Sequence, residues 1–329
     1  MAHEIEVVDG KAHAFFVGEP AWHKLGKVFP EGTILAIDEA IKAAGLDWTV
    51  RLQPLHMKYD GEEMPVPGYA TVRDSDKSVL GVVGPTYNPL QNIDAFKWFQ
   101  PFLDAKTAAL EAAGSLRNGK RVWVLAKISR DPIEIVKGDE IRKYLLLSNG
   151  HDGSLAIRGG FTNIRAVCAN TIAQAHSSAA SRLLRVRHTK NAAKTLDEVR
   201  EIMDLADREF SANAEQFKAL ARKGVSTEDL KKYVRKVFEP KVILTEPTPE
   251  DTSEDKNERL LAKIIPLFEK GRGNDLPGVR GTMWGAYNAV NEYLNYERGN
   301  EANRLDSLWF GDSARLNQRA LQTAMQMVG

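Results

Sequence analysis

The feature that most limits the fold is a change of hydrophobic period along the 329 residues. Through the first half, apolar side chains come mainly in short runs rich in Val, Ile, Leu and aromatics, separated by Gly, Asn and Asp clusters. From Thr195 onward they recur at helical spacing. The first pattern suits strands of an antiparallel sheet, and the second suits amphipathic helices. A chain that segregates the two is expected to be α+β: an antiparallel β-sheet core with packed helices and a largely helical C-terminal part.

Local signals place the elements. Thr33 to Ala44 reads as a helix stopped by Gly45, and Trp48 to Leu52 as a strand. Tyr69–Arg73 and Ser78–Val83 flank turn residues Asp74–Lys77 and form a hairpin. Residues 90–113 read as a helix interrupted at Pro101. Asn118-Gly119 signals a two-residue hairpin turn leading into the strand Arg121–Ile128. Strands are expected over 132–136, 141–147, 154–158 and 161–167, with a turn at Asn149–Gly153 and a helix over 170–180. Thr195-Leu196-Asp197-Glu198 is a capping-box pattern opening a long helix that ends before Gly224. A second helix starts at Ser226 or Thr227 and runs to Phe238. Residues 239–256, with three prolines and an acidic excess, read as a loop, and helices follow over 256–270, 282–296 and 314–327. The chain thus divides into a 1–194 core domain, a 195–238 helical extension, a 239–256 acidic linker or loop and a 257–329 helical region.

Several classes are set aside on composition. Hydrophobic residues at 43% and charged residues at 27% suit a globular protein with a sizeable core. The single cysteine, Cys168, fits a reducing compartment and reads as a small buried residue. The N-terminus lacks the cationic lead and apolar core of a secretory signal. The apolar runs fall short of the ~20 residues a spanning helix needs. A cytoplasmic protein without a membrane partner is expected.

Net charge is +1 overall but very unevenly distributed. Residues 115–194 carry 15 Lys and Arg against 5 Asp and Glu, a net of +10, which leaves −9 for the rest. A concentrated positive segment attracts phosphates through steering and counterion release. Its candidate contacts are Arg117, Lys120 and Arg121 around the Asn-Gly turn, Arg158 and Arg165 beside Gly159-Gly160, and Arg182, Arg185, Arg187 and Lys190 farther on. Trp123 and Phe161 are either stacking faces for bases or core residues.

Catalytic signatures are sparse. The seven histidines include no HxxxH pair, and CxxC, GxxxxGK[ST] and a strand-following GxGxxG are all missing. His151-Asp152 reads as half of a metal or acid–base site or, more simply, as turn chemistry. Neither a cofactor nor a catalytic residue is assigned.

Four stretches carry a resemblance: AWHKLG (21–26), HDGSLAIRGGFTNIRAVCANT (151–171), GTMWGAYNAVNEYLNY (281–296) and SLWFGDSARLNQRAL (307–321). Together they resemble the phage/plasmid-like protein family, catalogued as a domain of unknown function. That resemblance implies a bacterial, phage or plasmid setting and brings no catalytic residue. The order of the middle region, a hairpin, further antiparallel strands and a helix beside a basic stretch, also looks like the core of single-strand annealing proteins. Those assemble into rings or filaments and hold single-stranded DNA in a basic groove without a nucleotide cofactor. Three functions stay open: single-stranded DNA binding and annealing by a homo-oligomer, a metal-dependent nuclease with His151, Asp152 and further unassigned carboxylates as ligands, and a non-enzymatic assembly or host-interaction protein presenting Trp284, Tyr287, Trp309 and Phe310.

Overall fold

The structure is a computed structural model that describes residues 5–18, 25–128, 131–165, 170–172, 185–186, 202–239, 253–300, 304, 307–308 and 311–329. The chain forms two compact units. One takes Met1–Arg130, Lys143–Thr162 and Ala175–Ala206; the other takes Asp131–Arg142, Asn163–Gln174 and Asp207–Gly329.

The first unit opens with short strands β1 (Val7–Val8), β2 (Lys11–Ala12), β3 (Ala14–Val17) and β4 (Lys27–Phe29), then helix α1 (Ile37–Ala43). Strands β5 (Val50–Tyr59), β6 (Glu62–Arg73) and β7 (Val79–Val83) make a separate three-stranded antiparallel sheet. Helices α2 (Asn92–Lys97) and α3 (Gln100–Asp104) lead into β8 (Ala108–Leu116) and β9 (Arg121–Ile128). Along the chain then follow β10 (Ile133–Val136) and β13 (Asn170–Ile172), which belong to the second unit, β11 (Asp139–Gly150) and β12 (Ile157–Arg165), whose residues are divided between the units, and β14 (Arg185–Val186) of the first. The large sheet runs β13-β12-β11-β9-β8-β3-β4, with β10 on β11 and β14 on β12. Its pairs are antiparallel at β8–β9, β9–β11, β10–β11, β3–β8, β12–β13 and β12–β14, and parallel at β3–β4.

One face of this sheet holds the core. Phe15, Ala113, Val122, Val124, Leu145 and Leu147 pack with Ile41 of α1, Phe96 of α2 and Phe99 and Phe102 around α3. Register explains the selection: Phe15 pairs with Ala113, Ala113 with Val124, and Val124 with Leu147, so all four point the same way.

The second unit is mainly helical, with α4 (Ile202–Arg222), α5 (Thr227–Phe238), α6 (Ser253–Lys270), α7 (Met283–Glu292) continuing into a π-helical turn (Tyr293–Glu297), and α8 (Asp312–Val328). Ser226 caps α5 in a full capping box with Asp229. Every residue of α7 is buried. Its Trp284 and Tyr287 stack around Phe217 at 4.8 and 6.2 Å, and the Trp284 indole Nε1 donates to Asp139 Oδ2 at 2.8 Å.

The α+β class holds. Several elements differ from expectation. The helix read over 90–113 stops at Asp104, and its Ala-rich end forms β8. Both faces of β8 are closed over, with all but two of its residues buried, so pairing and packing override helix propensity. The start of the helix expected over 170–180 is strand β13, and residues 173–180 lie outside the described residues. The strands expected over 154–158 and 161–167 are one continuous β12 through Arg165. Helix α6 begins at Ser253, inside the expected acidic loop, of which 240–252 lie outside the described residues. The capping-box start at Thr195 also lies outside them.

Candidate nucleic-acid interface

The β8–β9 connection is a hairpin, but with a four-residue loop where two residues were expected. Leu116 pairs with Arg121, and Arg117, Asn118 and Gly119 all take positive φ (54°, 55° and 82°). Only Gly does so without cost, so two side chains are held left-handed by what surrounds them. Lys120 N donates to Arg117 O at 3.3 Å and closes the loop. The result gathers Arg117, Lys120 and Arg121, all half-buried, at one end of the hairpin.

The 150–154 turn lies beside this loop. His151 N donates to Lys120 O at 2.8 Å, Gly150 pairs with Arg121, and the Arg121 guanidinium reaches Ser154 Oγ at 3.4 Å. Asp152 Oδ1 accepts from Ser154 N at 2.9 Å and Ser154 Oγ at 2.7 Å, an Asx turn. His151 is fully buried, its Nε2 2.9 Å from Asn92 Oδ1 and its ring 5.3 Å from Trp48. The two neighbours therefore face different surroundings and support the turn reading. Among the described residues no group of three His, Cys, Asp or Glu is placed to hold a metal ion.

Beneath the loop lies a hub that sequence reasoning missed. Arg73, 4% exposed, donates to Glu6 and, through Nη2, to Asp76 Oδ2 at 2.8 Å, with its guanidinium 5.2 Å over the Trp48 ring. A Cβ on Gly119 would sit 2.9 Å from Arg73 Nη1, so the loop rests directly on this guanidinium. Glu6 also accepts from Ser115 Oγ at 2.9 Å and lies 3.2 Å from His13 Nδ1. Burial pushes the Glu6 carboxyl up, but His13, Arg73 and Ser115 together hold it below its ordinary value. Asp76 is likewise opposed by burial, yet Arg73 and Ser78 bring it down to about 2. The available signal was Arg73 itself, a charge at an inward strand position two residues after Thr71.

The other expected contacts divide. Arg158 is half-buried on β12, and its Cα partner across β14 is Arg185. The pairing brings two of the basic positions side by side. Arg165 closes β12 opposite Asn170, apart from that pair along the strand. Arg182, Arg187 and Lys190 lie outside the described residues. Stacking by Trp123 and Phe161 is corrected. Trp123 is 2% exposed with its ring 6.2 Å from Phe16, and Phe161 is 7% exposed beneath the Lys143 ammonium, 4.5 Å from its centroid. Neither ring presents a face to a base. Trp284 and Tyr287, considered as a partner surface, are core residues of the second unit, and Trp309 and Phe310 lie outside the described residues.

The class defined so far is an α+β protein whose basic loop is braced by a buried ionic hub. Residues 79–321 match the DUF932 family, described as a domain of unknown function, and the chain belongs to that family. Neither a curated protein nor a solved structure matches it. No helix among the described residues is long and apolar enough to cross a membrane.

Proposed function

We propose that this protein binds single-stranded nucleic acid, DNA in the first instance, and serves annealing in the recombination or replication of a phage or plasmid within the bacterial cytoplasm. The observation that carries the reading is the +10 charge of residues 115–194, several of whose cations fall in two groups. Arg117, Lys120 and Arg121 share one braced loop, and Arg158 and Arg185 share one register position. Cations carried at fixed backbone positions of a braced loop and a sheet suit a phosphate backbone, because less backbone ordering remains to be done on binding. The antiparallel β8–β9–β11 ladder, with β12 next to β11, is also consistent with an annealing-type core, by analogy of fold. With both candidate rings in the core, affinity in this reading comes from phosphate contacts.

The test is fluorescence anisotropy of a labelled oligonucleotide over a salt series. The expected result is binding whose logarithm falls linearly with the logarithm of salt concentration, with a slope of about −0.7 per phosphate neutralised. Arg117→Glu with Lys120→Glu and Arg121→Glu, and separately Arg182→Glu with Arg185→Glu and Arg187→Glu, should each weaken binding and flatten the slope. Absence of binding at low salt rejects the reading.

A further inference from the structure

Five of the large exposed hydrophobic side chains share one surface: Met57 (46% exposed), Tyr59 (62%), Met64 (44%), Val79 (60%) and Val82 (63%). Register places them together. Across β5-β6-β7, Arg51 pairs with Val72 and Val72 with Val79; Gln53 pairs with Ala70 and Ala70 with Val82. Farther out, Leu55 pairs with Val66, Met57 with Met64 and Tyr59 with Glu62. Side chains of paired residues point to the same side, so these positions form the outer face of the sheet. The inner face carries Val50, Thr71, Arg73, Leu80 and Val83, all buried. Near Val50 and Arg73 one face is thus core; farther out, where Pro54, His56, Lys58, Glu63 and Pro65 leave the inner side exposed as well, the large apolar side chains gather in a stripe on the outer face. Most of it lies on β5 and β6, ahead of the region matched to the family.

We infer that this outer face is the contact between two copies of this chain, packed face to face about a two-fold axis near Leu55 and Val66. Two properties of the stripe point to a second copy. The first is charge. Arg51 stands at one end of the stripe and Glu62 at the other, next to the Asp60-Gly61 turn. A two-fold pairing runs the stripes antiparallel and sets each Arg51 against the other copy's Glu62, which makes the face self-complementary. Arg51 also bonds Asp74 at 3.0 Å, and its side chain remains 67% exposed, so it is already oriented at that end. The second is size. The five side chains expose about 500 Å² per chain, so a two-fold pairing that covers them reaches about 1,000 Å², the lower bound for a specific interface. The paired Met57 and Met64 lie within the stripe and charge stands at its ends, an arrangement such interfaces favour. The edges are less suited to pairing, since Pro54, Pro65 and Pro67 remove backbone donors along the arm. The inference does not rest on nucleic-acid binding and is tested without it.

The experiment is sedimentation equilibrium of the full chain over a concentration series, without nucleic acid. The expected result is a reversible monomer–dimer equilibrium. Met57→Glu with Val82→Glu should shift it to monomer while the circular dichroism spectrum is unchanged, since both positions are exposed. Arg51→Glu alone and Glu62→Arg alone should each weaken the dimer severalfold. The double variant Arg51→Glu with Glu62→Arg should recover most of that loss, a rescue only the antiparallel pairing produces. A monomer at every concentration overturns the inference. So does an assembly whose size ignores these substitutions, or a double variant no tighter than the singles.

Discussion

Arg73 shows how much one side chain can organise. Its guanidinium supports Glu6 and Asp76 and forms the floor under Gly119. Arg73→Met keeps the apolar stem but leaves the Glu6 carboxylate buried with only His13 and Ser115, so a loss of about 3–5 kcal/mol is expected in urea denaturation. Glu6→Gln keeps the shape and should cost less. The pair also sets an acid limit. A carboxyl whose pKa is lower folded than unfolded binds fewer protons when folded, so it stabilises above its unfolded value and loses that contribution as pH falls through its folded one. For Asp76 the window runs from its ordinary 3.8 down to about 2, and Glu6 begins its loss from about 4.5 downward. Stability should therefore fall as pH drops below about 4.5, and the Glu6→Gln variant should show a shallower fall, measured as unfolding midpoint against pH.

At the scale of elements, the sequence was most legible where pattern and tertiary context agree. The Ser226-capped α5, the 69–83 hairpin and the β9 strand stand where their residues place them. It was least legible where packing outvotes propensity. The Ala108–Leu116 stretch has helix-forming composition, yet it is a buried strand between β3 and β9. The β5–β6 arm went unread because its three prolines look like loop chemistry. They are tolerated because the β5 edge and the outer part of β6 need no donors there. Asp60-Gly61, with positive φ at both positions, closes that arm as a two-residue turn. At the candidate site, charge composition found the loop, and register alone revealed that Arg158 and Arg185 are backbone partners. The loop yields a prediction at this scale. Gly119→Ala adds a Cβ at positive φ that presses on Arg73 Nη1, so it should destabilise by about 1–2 kcal/mol, with Asn118→Gly neutral or slightly stabilising. In the second unit, Trp284→Phe removes the indole bond to the buried Asp139 and should cost about 1–3 kcal/mol by the same measurement.

For the whole molecule, the proposed phosphate contacts and the proposed dimer face draw on different residues. The contacts are cations of the β8–β9 loop and the β12–β14 register, while the face is the outer side of β5-β6-β7. Separation of the two activities by substitution follows. Arg117→Glu with Lys120→Glu and Arg121→Glu should lose oligonucleotide affinity and leave the dimer intact. Met57→Glu with Val82→Glu should abolish the dimer and leave the intrinsic contact of each chain nearly unchanged. The dimer's gain then appears with length. On a strand long enough to span both chains, the second contact becomes intramolecular, and apparent affinity for the wild type should exceed that of the monomeric variant by about 10²-fold or more. On a short oligonucleotide the two should bind alike. Anisotropy titrations of both proteins against short and long strands at one salt concentration decide it. Equal affinities at both lengths would mean that pairing of the chains does not place two contacts on one strand.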